Sequence, residues 1–246
     1  MIAAIIQARC GSSRFPEKIF AELAGKPLIF HVVDRLKYCQ RLDRIIIATT
    51  TAKGDDRLIE WAKSNKVEIY RGSEDNVLNR YYSVAVAAGL KAGDIVVRIT
   101  ADDPFKEPAL IDKVIETVES EGVDFAYNNN PPTFPEGLDC EAFTFEALEK
   151  SEMESSEQYE REHVTQYMYR HPELFKGKNI YQSQDMSKLR FTIDTPDDYK
   201  MAGTIYDKLY HEGDLFTLKD ILILFEQYPN IPAINSSVAR SAMYKK

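Results

Sequence analysis

Between Gln7 and Lys18 the chain reads Gln7-Ala8-Arg9-Cys10-Gly11-Ser12-Ser13-Arg14-Phe15-Pro16-Glu17-Lys18, with three cations, one glycine and two serines in twelve residues. Backbone N–H groups of a Gly/Ser loop can form an anion nest. Arg9 and Arg14 can grip phosphate oxygens bidentately, and Lys18 can add a point charge. Polyphosphate is the ligand this chemistry suits. The loop carries neither the Gly-x-x-x-x-Gly-Lys-Ser/Thr of a P-loop nor the Gly-x-Gly-x-x-Gly of a dinucleotide fingerprint. A solvated loop with ordinary charges has the same composition, but the position directly after a first strand favours function.

Two acids follow another apolar run, in Arg98-Ile99-Thr100-Ala101-Asp102-Asp103-Pro104. Acids beside a triphosphate loop suggest Mg²⁺, which takes one or two carboxylates plus substrate phosphates. Asp194 closes the segment Leu189–Ile193 and precedes Thr195-Pro196-Asp197-Asp198, a pattern that also caps a helix. In Arg71-Gly72-Ser73-Glu74-Asp75-Asn76, Ser73 or Asp75 has helix capping as its simplest role, whereas Arg71 and Arg80 flank a loop expected on the ligand side. Pro135-Glu136-Gly137-Leu138-Asp139-Cys140-Glu141 and Arg161-Glu162-His163-Val164-Thr165 suit either a polar second substrate or a turn and a helix face. No Ser-His-Asp arrangement outweighs the phosphate reading.

These residues need a scaffold. Ile2–Ile6 reads as a strand, 27–39 as a helix, 44–49 as a strand, 55–65 as a helix and 67–70 as a strand. Helix 76–88, strand 95–99, helix 108–121 and strand 125–127 continue the alternation, which predicts an α/β fold: a mostly parallel, Rossmann-like sheet with helices on both faces. Past Asn128 the rhythm changes. We expect a strand at 140–143, helices over 144–155 and 160–170, strands at 180–183 and 189–193, helices over 196–212 and 218–227, and a polar tail at 236–246. The expected organisation is one domain, with 1–128 binding nucleotide and 129–235 binding an acceptor or a second subunit. Ligands of open α/β sheets sit beyond the carboxyl ends of the strands, where the loops after Ile6, Thr49, Tyr70, Ile99 and Tyr127 fall.

Composition narrows the classes. The 246 residues are 44% hydrophobic with a formal net charge of −8, which argues against a nucleic-acid partner. No apolar run is long enough to span a bilayer, and Gln7 and Arg9 interrupt the N-terminal run, so a cytoplasmic protein is expected. Cys10, Cys39 and Cys140 are widely spaced and odd in number, which reads as reduced thiols rather than a disulfide framework or zinc site.

Taken together and in order, these motifs resemble the cytidylyltransferases that make CMP-Kdo and CMP-sialic acids, most closely the spore coat polysaccharide biosynthesis protein F family. They include Leu23-Ala24-Gly25-Lys26-Pro27-Leu28, and the resemblance runs from Ile2 to the helix after Asp194. It implies a glycosyltransferase-A-like nucleotidyltransferase that uses CTP and Mg²⁺. An acceptor oxygen would attack the α-phosphorus and release pyrophosphate, in surface polysaccharide or related glycan synthesis. By carry-over, Arg9, Arg14, Lys18 and Asp102 are the catalytic set. Ala8, Gly11, Ser12, Thr49, Arg71, Ser73 and Thr100 complete the nucleotide site, and Asp102 with Asp194 would ligate Mg²⁺. Arg80, Asp139, Glu141, Glu162 and His163 would meet a small anionic acceptor: a sugar acid, sugar phosphate or phosphonate. A homodimer is the expected assembly. The chain departs from the family pattern at Ala101, usually Gly, and at Asp103, usually Cys. A glycosyltransferase using a nucleotide sugar, or a non-catalytic nucleotide-binding subunit, are the alternatives.

Overall fold

A computed structural model describes residues 1–11 and 15–239. In chain order the elements are β1 (Ile2–Gln7), β2 (Glu22–Leu23), β3 (Lys26–Pro27), α1 (Leu28–Leu36), β4 (Arg44–Thr50), α2 (Asp56–Ser64), β5 (Glu68–Gly72), α3 (Val77–Ala87), β6 (Ile95–Thr100) and α4 (Pro108–Glu121). They continue as β7 (Phe125–Tyr127), β8 (Glu141–Thr144), α5 (Phe145–Glu154), α6 (Gln158–Glu162), α7 (Gln166–Arg170), β9 (Gly177–Asn179), α8 (Pro196–Leu209) and α9 (Leu218–Gln227).

Seven strands form one sheet in the order β5-β4-β1-β6-β8-β7-β9. β8 runs antiparallel to both its neighbours, β6 and β7, while every other pairing in the sheet is parallel. The fold is therefore the mostly parallel, Rossmann-like sheet that the alternating pattern predicts. The Ile/Val runs of β1, β4 and β6 are buried because helices cover both faces. Alternation in β1 shows it: Ala4 and Ile6 join the core under α1, α4 and α8, whereas Ala3 and Ile5 join the core under α3 and α5. No described helix is long and apolar enough to cross a membrane.

The reversal at β8 places the site. Arg98 near the carboxyl end of β6 pairs in register with Glu141 at the amino end of β8. The 135–140 segment, which enters β8, thus arrives at the same sheet end as the loops that leave β1, β4 and β6.

The second half departs from expectation in detail. The 189–193 strand is reduced to one parallel bridge between Glu136 and Arg190. Gly137, at φ 98°, leaves the extended conformation after Glu136 while staying packed against the Phe191–Thr192 backbone, so the ladder stops. The late edge strand forms at β9 rather than 180–183, since Gly177 offers no side chain and the Phe125 and Tyr127 rings pack over it. Beyond it, Gln182 N–H goes to the Thr133 hydroxyl instead of a strand. The helix expected over 160–170 breaks into α6 and α7 at Val164, whose φ is 40°, while the Thr165 hydroxyl donates to Glu141 at 3.0 Å. The β2–β3 hairpin was not anticipated. Its turn residues Ala24 and Gly25, at φ 46° and 76°, have the positive φ values of a type I′ turn. Of the polar tail, residues 240–246 lie outside the described residues.

Candidate active site

The loop after β1 is pinned at both ends of its described part. Cys10 N–H donates to Asp55 Oδ1 at 2.7 Å, and Glu17 N–H donates to the Cys10 carbonyl at 3.1 Å. Asp55 belongs to the loop after β4, where its second oxygen accepts from Thr50 N–H (3.2 Å) and the Thr50 hydroxyl (2.5 Å). One buried carboxylate therefore ties two ligand-side loops together. Burial raises the Asp55 pKa, but these hydrogen bonds overcome that and hold it below the usual carboxylate value. Burial, followed by the Asp55 charge, pushes the Cys10 thiol up to about 12. Ala8 is buried against the core, while Arg9 and Gly11 are exposed. Arg9 makes no hydrogen bond or ion pair with another described residue. Ser12 and Arg14 lie outside the described residues.

Lys18, in the short 3₁₀ turn after this loop, reaches the two candidate metal ligands at once. Its Nζ donates to Asp102 Oδ2 at 2.8 Å, to Asp194 Oδ1 at 2.9 Å and to the Ile193 carbonyl at 2.9 Å. Burial lowers the Lys18 pKa, but the pull of Asp102 and Asp194 outweighs it and leaves the ammonium more firmly protonated than usual. Burial likewise opposes ionisation of Asp102, and Lys18 reverses the sign. Ile193 N–H donates to the Asp102 carbonyl at 2.9 Å, which locks the two acid loops to each other. Arg190 fixes the far side: it pairs with Asp194 (3.0 Å), Asp198 (2.9 Å) and Glu136 (2.7 Å). Two carboxylates and a carbonyl converging on one cation form a hard-oxygen set. That set fits Mg²⁺, which completes its shell with water and phosphate oxygens.

Asp103 sits behind Asp102 and serves the scaffold. It accepts from the Thr100 hydroxyl at 2.5 Å and from Lys106 Nζ at 2.8 Å, and Lys106 also donates to the Asp139 carbonyl. Burial first, then the nearby Asp102 charge, pushes Asp103 up to about 6 despite Lys106. The Asp139 carboxylate accepts from Gly137 N–H at 3.3 Å. Buried Asn128 holds the same segment through the Leu138 carbonyl and Cys140 N–H.

The remaining candidates are placed less uniformly. Arg71 binds the Thr50 and Ala52 carbonyls and pairs with Asp56, so its guanidinium braces the loop after β4. The Ser73 hydroxyl accepts from Asn76 N–H, and Asn76 itself caps α3. Arg80 is buried against Gly72 and donates to the Ser73 carbonyl. Thr49 is fully buried. Glu141 is buried and pairs with Arg98 at 2.6 Å while accepting from Thr165 and Tyr169. Glu162 is exposed, and His163 is partly exposed with its pKa lowered by burial and, more weakly, by Arg98. Lys18, Asp102 and Asp194 thus meet in one cluster, Arg9 and Gly11 are exposed in the loop after β1, and of the second-half candidates Asp139 and His163 are partly exposed and Glu162 is exposed.

Comparison with known proteins agrees with this architecture. The cytidylyltransferase family profile matches residues 3–223. The chain belongs to the cytidylyltransferase family. It is 37% identical over 245 residues to an uncharacterized protein of Methanocaldococcus jannaschii, covering 98% of this chain and 97% of that one. It is 30% identical over 233 residues to the spore coat polysaccharide biosynthesis protein SpsF of Bacillus subtilis, covering 92% and 94%. A solved cytidylyltransferase from Leptospira borgpetersenii superposes with a TM-score of 0.87 at 31% identity, over 94% of this chain and 95% of that one.

In this cytidylyltransferase the residues that sequence reasoning passed over are supports: Asp55, Lys106, Arg190 and Asn128. Asp55 and Arg190 carried a weak signal as charges next to motif segments. What each charge would touch depends on loops far apart in the chain, 45 residues apart for Asp55 and Cys10.

Proposed function

We propose that this protein transfers CMP from CTP to a small anionic acceptor (a sugar acid, sugar phosphate or phosphonate), releasing pyrophosphate, as a step in surface polysaccharide or related glycan synthesis. The observation that carries this reading is the convergence of Asp102, Asp194 and the Ile193 carbonyl on one cation, directly beside the loop after β1. Arg9, exposed at the start of that loop, would take phosphate oxygens, and by the family resemblance Gly11, Ser12 and Arg14 would add further donors. Asp102 and Asp194 would hold Mg²⁺, which when bound neutralises charge on the phosphates.

The protein's own work is positioning and charge stabilisation. Arg9 and Lys18 would hold the triphosphate in line with the acceptor, and little covalent chemistry falls to side chains. An acceptor with a phosphate or phosphonate oxygen is already anionic and needs no general base. For a hydroxyl acceptor, partly exposed His163, whose pKa burial lowers, would be the candidate base. Asp139 and Glu162 would help to meet the acceptor. We place the enzyme with the cytoplasmic CTP pool and expect a homodimer through the 129–235 half.

Calorimetric titration with CTP, ATP, GTP and UTP, each with and without Mg²⁺, tests the nucleotide side. Selective binding of CTP, strengthened by Mg²⁺, is expected, and Asp102→Asn should abolish pyrophosphate release with a competent acceptor. Preference for a UDP-sugar, or no triphosphate binding, would overturn the proposal.

A further inference from the structure

We infer that Lys18 is the resident cation of the Asp102–Asp194 cradle in the nucleotide-free protein, and that CTP opens the cradle to a divalent cation by drawing the Lys18 ammonium onto its phosphates. The inference rests on the proposed CTP and divalent-cation site and adds to it an obligatory exchange.

The three N–H donors of the ammonium have three oxygen partners: Asp102 Oδ2 at 2.8 Å, Asp194 Oδ1 at 2.9 Å and the Ile193 carbonyl at 2.9 Å. A divalent ion using those oxygens would lie about 2.0–2.1 Å from each if it is Mg²⁺, in the space Nζ fills. Two cations cannot share that space, so Lys18 and the metal exclude each other. The cradle is enclosed, with side-chain exposures of 11% for Lys18, 28% for Asp102 and 10% for Asp194, and an ammonium expelled from it needs another anion nearby. The triphosphate supplies one, because Lys18 directly follows the phosphate loop. The backbone at Lys18 is held: its N–H donates to the Phe15 carbonyl and its carbonyl accepts from Ala21 N–H. The exchange therefore needs rotation of a flexible four-carbon side chain rather than loop refolding.

The arrangement keeps two carboxylates compensated when no nucleotide is present, with Arg190 on the other oxygen of Asp194. It also makes metal entry conditional on CTP. By linkage, whatever factor CTP adds to metal affinity, the metal adds to CTP affinity.

The test uses Mn²⁺ as the probe, followed by electron paramagnetic resonance and by melting temperature. The proteins are wild type, Lys18→Met and Lys18→Gln, with and without an α,β-methylene CTP analogue that cannot react. Without nucleotide, wild type should bind Mn²⁺ about tenfold or more weakly than either variant, and saturating analogue should remove most of that gap. Mn²⁺ alone should raise the melting temperature of both variants and leave wild type nearly unmoved. Asp102→Asn combined with Lys18→Met should lose the Mn²⁺ site, which assigns binding to the cradle. Equal Mn²⁺ affinity of nucleotide-free wild type and both variants overturns the inference even if CTP binds selectively. If no protein binds Mn²⁺ under any condition, the metal reading falls with it. If the analogue does not bind while the variants gain Mn²⁺ affinity, Lys18 stands as the resident cation and the CTP assignment and exchange are refuted.

Discussion

Asp55→Ala is the sharpest structural perturbation, because one side chain serves two loops. In the wild type its carboxylate takes Cys10 N–H at 2.7 Å, Thr50 N–H at 3.2 Å and the Thr50 hydroxyl at 2.5 Å, all from buried residues. Alanine strands two buried backbone donors, while the hydroxyl can turn elsewhere. At about 1–3 kcal/mol per stranded donor, the loss should centre near 4 kcal/mol. For a chain of this size that is a fall of roughly 8–16 °C in melting temperature, survivable if total stability is an ordinary ~5–15 kcal/mol. Asp55→Asn keeps one acceptor for Cys10 but turns an NH₂ group toward the Thr50 donors, so it should lose about half as much. Scanning calorimetry and urea unfolding give the order: wild type, Asn, Ala. At a temperature where all three remain folded, CTP affinity should fall in the same order, since the loop is released from its anchor. A cost below about 1 kcal/mol for alanine, or unchanged CTP affinity in a destabilised variant, would refute the anchoring argument.

Gly137→Ala should be destabilising on two counts. The residue has φ 98°, and an added Cβ would lie 2.5 Å from Thr192 N, so backbone must move beside Asp194. We expect a loss of at least about 3 kcal/mol, with turnover reduced further than stability alone accounts for; a variant with wild-type melting and turnover contradicts the close approach. His31 sets a pH response. It is buried, with Nε2 2.7 Å from the Leu23 carbonyl, and burial holds its pKa below 6.5. A depressed histidine contributes stability that is complete above the unfolded value of 6.5 and is lost as pH falls through the folded value. Wild type should therefore lose more stability than His31→Gln between pH 7 and about 5, measured by urea unfolding at each pH. Parallel curves would place the acid loss elsewhere.

The first half of the fold was legible because its signals are local. Ile45-Ile46-Ile47 and Ile95-Val96-Val97 read as doubly covered strands, and Pro108 at the first turn of α4 starts that helix where expected. The second half was read less well because tertiary contacts decide it. Gly177-Lys178-Asn179 has no strand signature, and its place at the sheet edge depends on contacts with distant residues: the Phe125 and Tyr127 rings packed over Gly177 and the Asp124 carboxylate on Lys176 N–H. Leu189–Ile193 has a strand's composition, yet Gly137 ends the pairing after one bridge. Among the candidate residues, residue types and the family resemblance singled out Lys18, Asp102 and Asp194, but spacing of 84 and 176 residues hides that Lys18 sits between the two acids. Arg71 and Ser73 show the opposite case. Their positions pointed to ligand, while their donors and acceptors are engaged with Thr50, Ala52 and Asn76.

The elevated thiol pKa at Cys10 governs how the loop after β1 meets reactive chemicals. With its pKa at about 12, roughly one molecule in 10⁵ carries the thiolate at neutral pH. The thiolate is the form that attacks peroxides and alkylating agents, so the protonated Cys10 thiol reacts slowly with them even though it adjoins exposed Arg9. Burial is the larger cause of the raised pKa, and the Asp55 charge that fastens the loop adds to it, so one carboxylate both anchors the loop and helps to keep its sulfur protonated. If loss of Asp55 also exposes Cys10, a thiol reagent should modify it faster than in wild type, which makes Cys10 a built-in reporter of whether the loop is fastened.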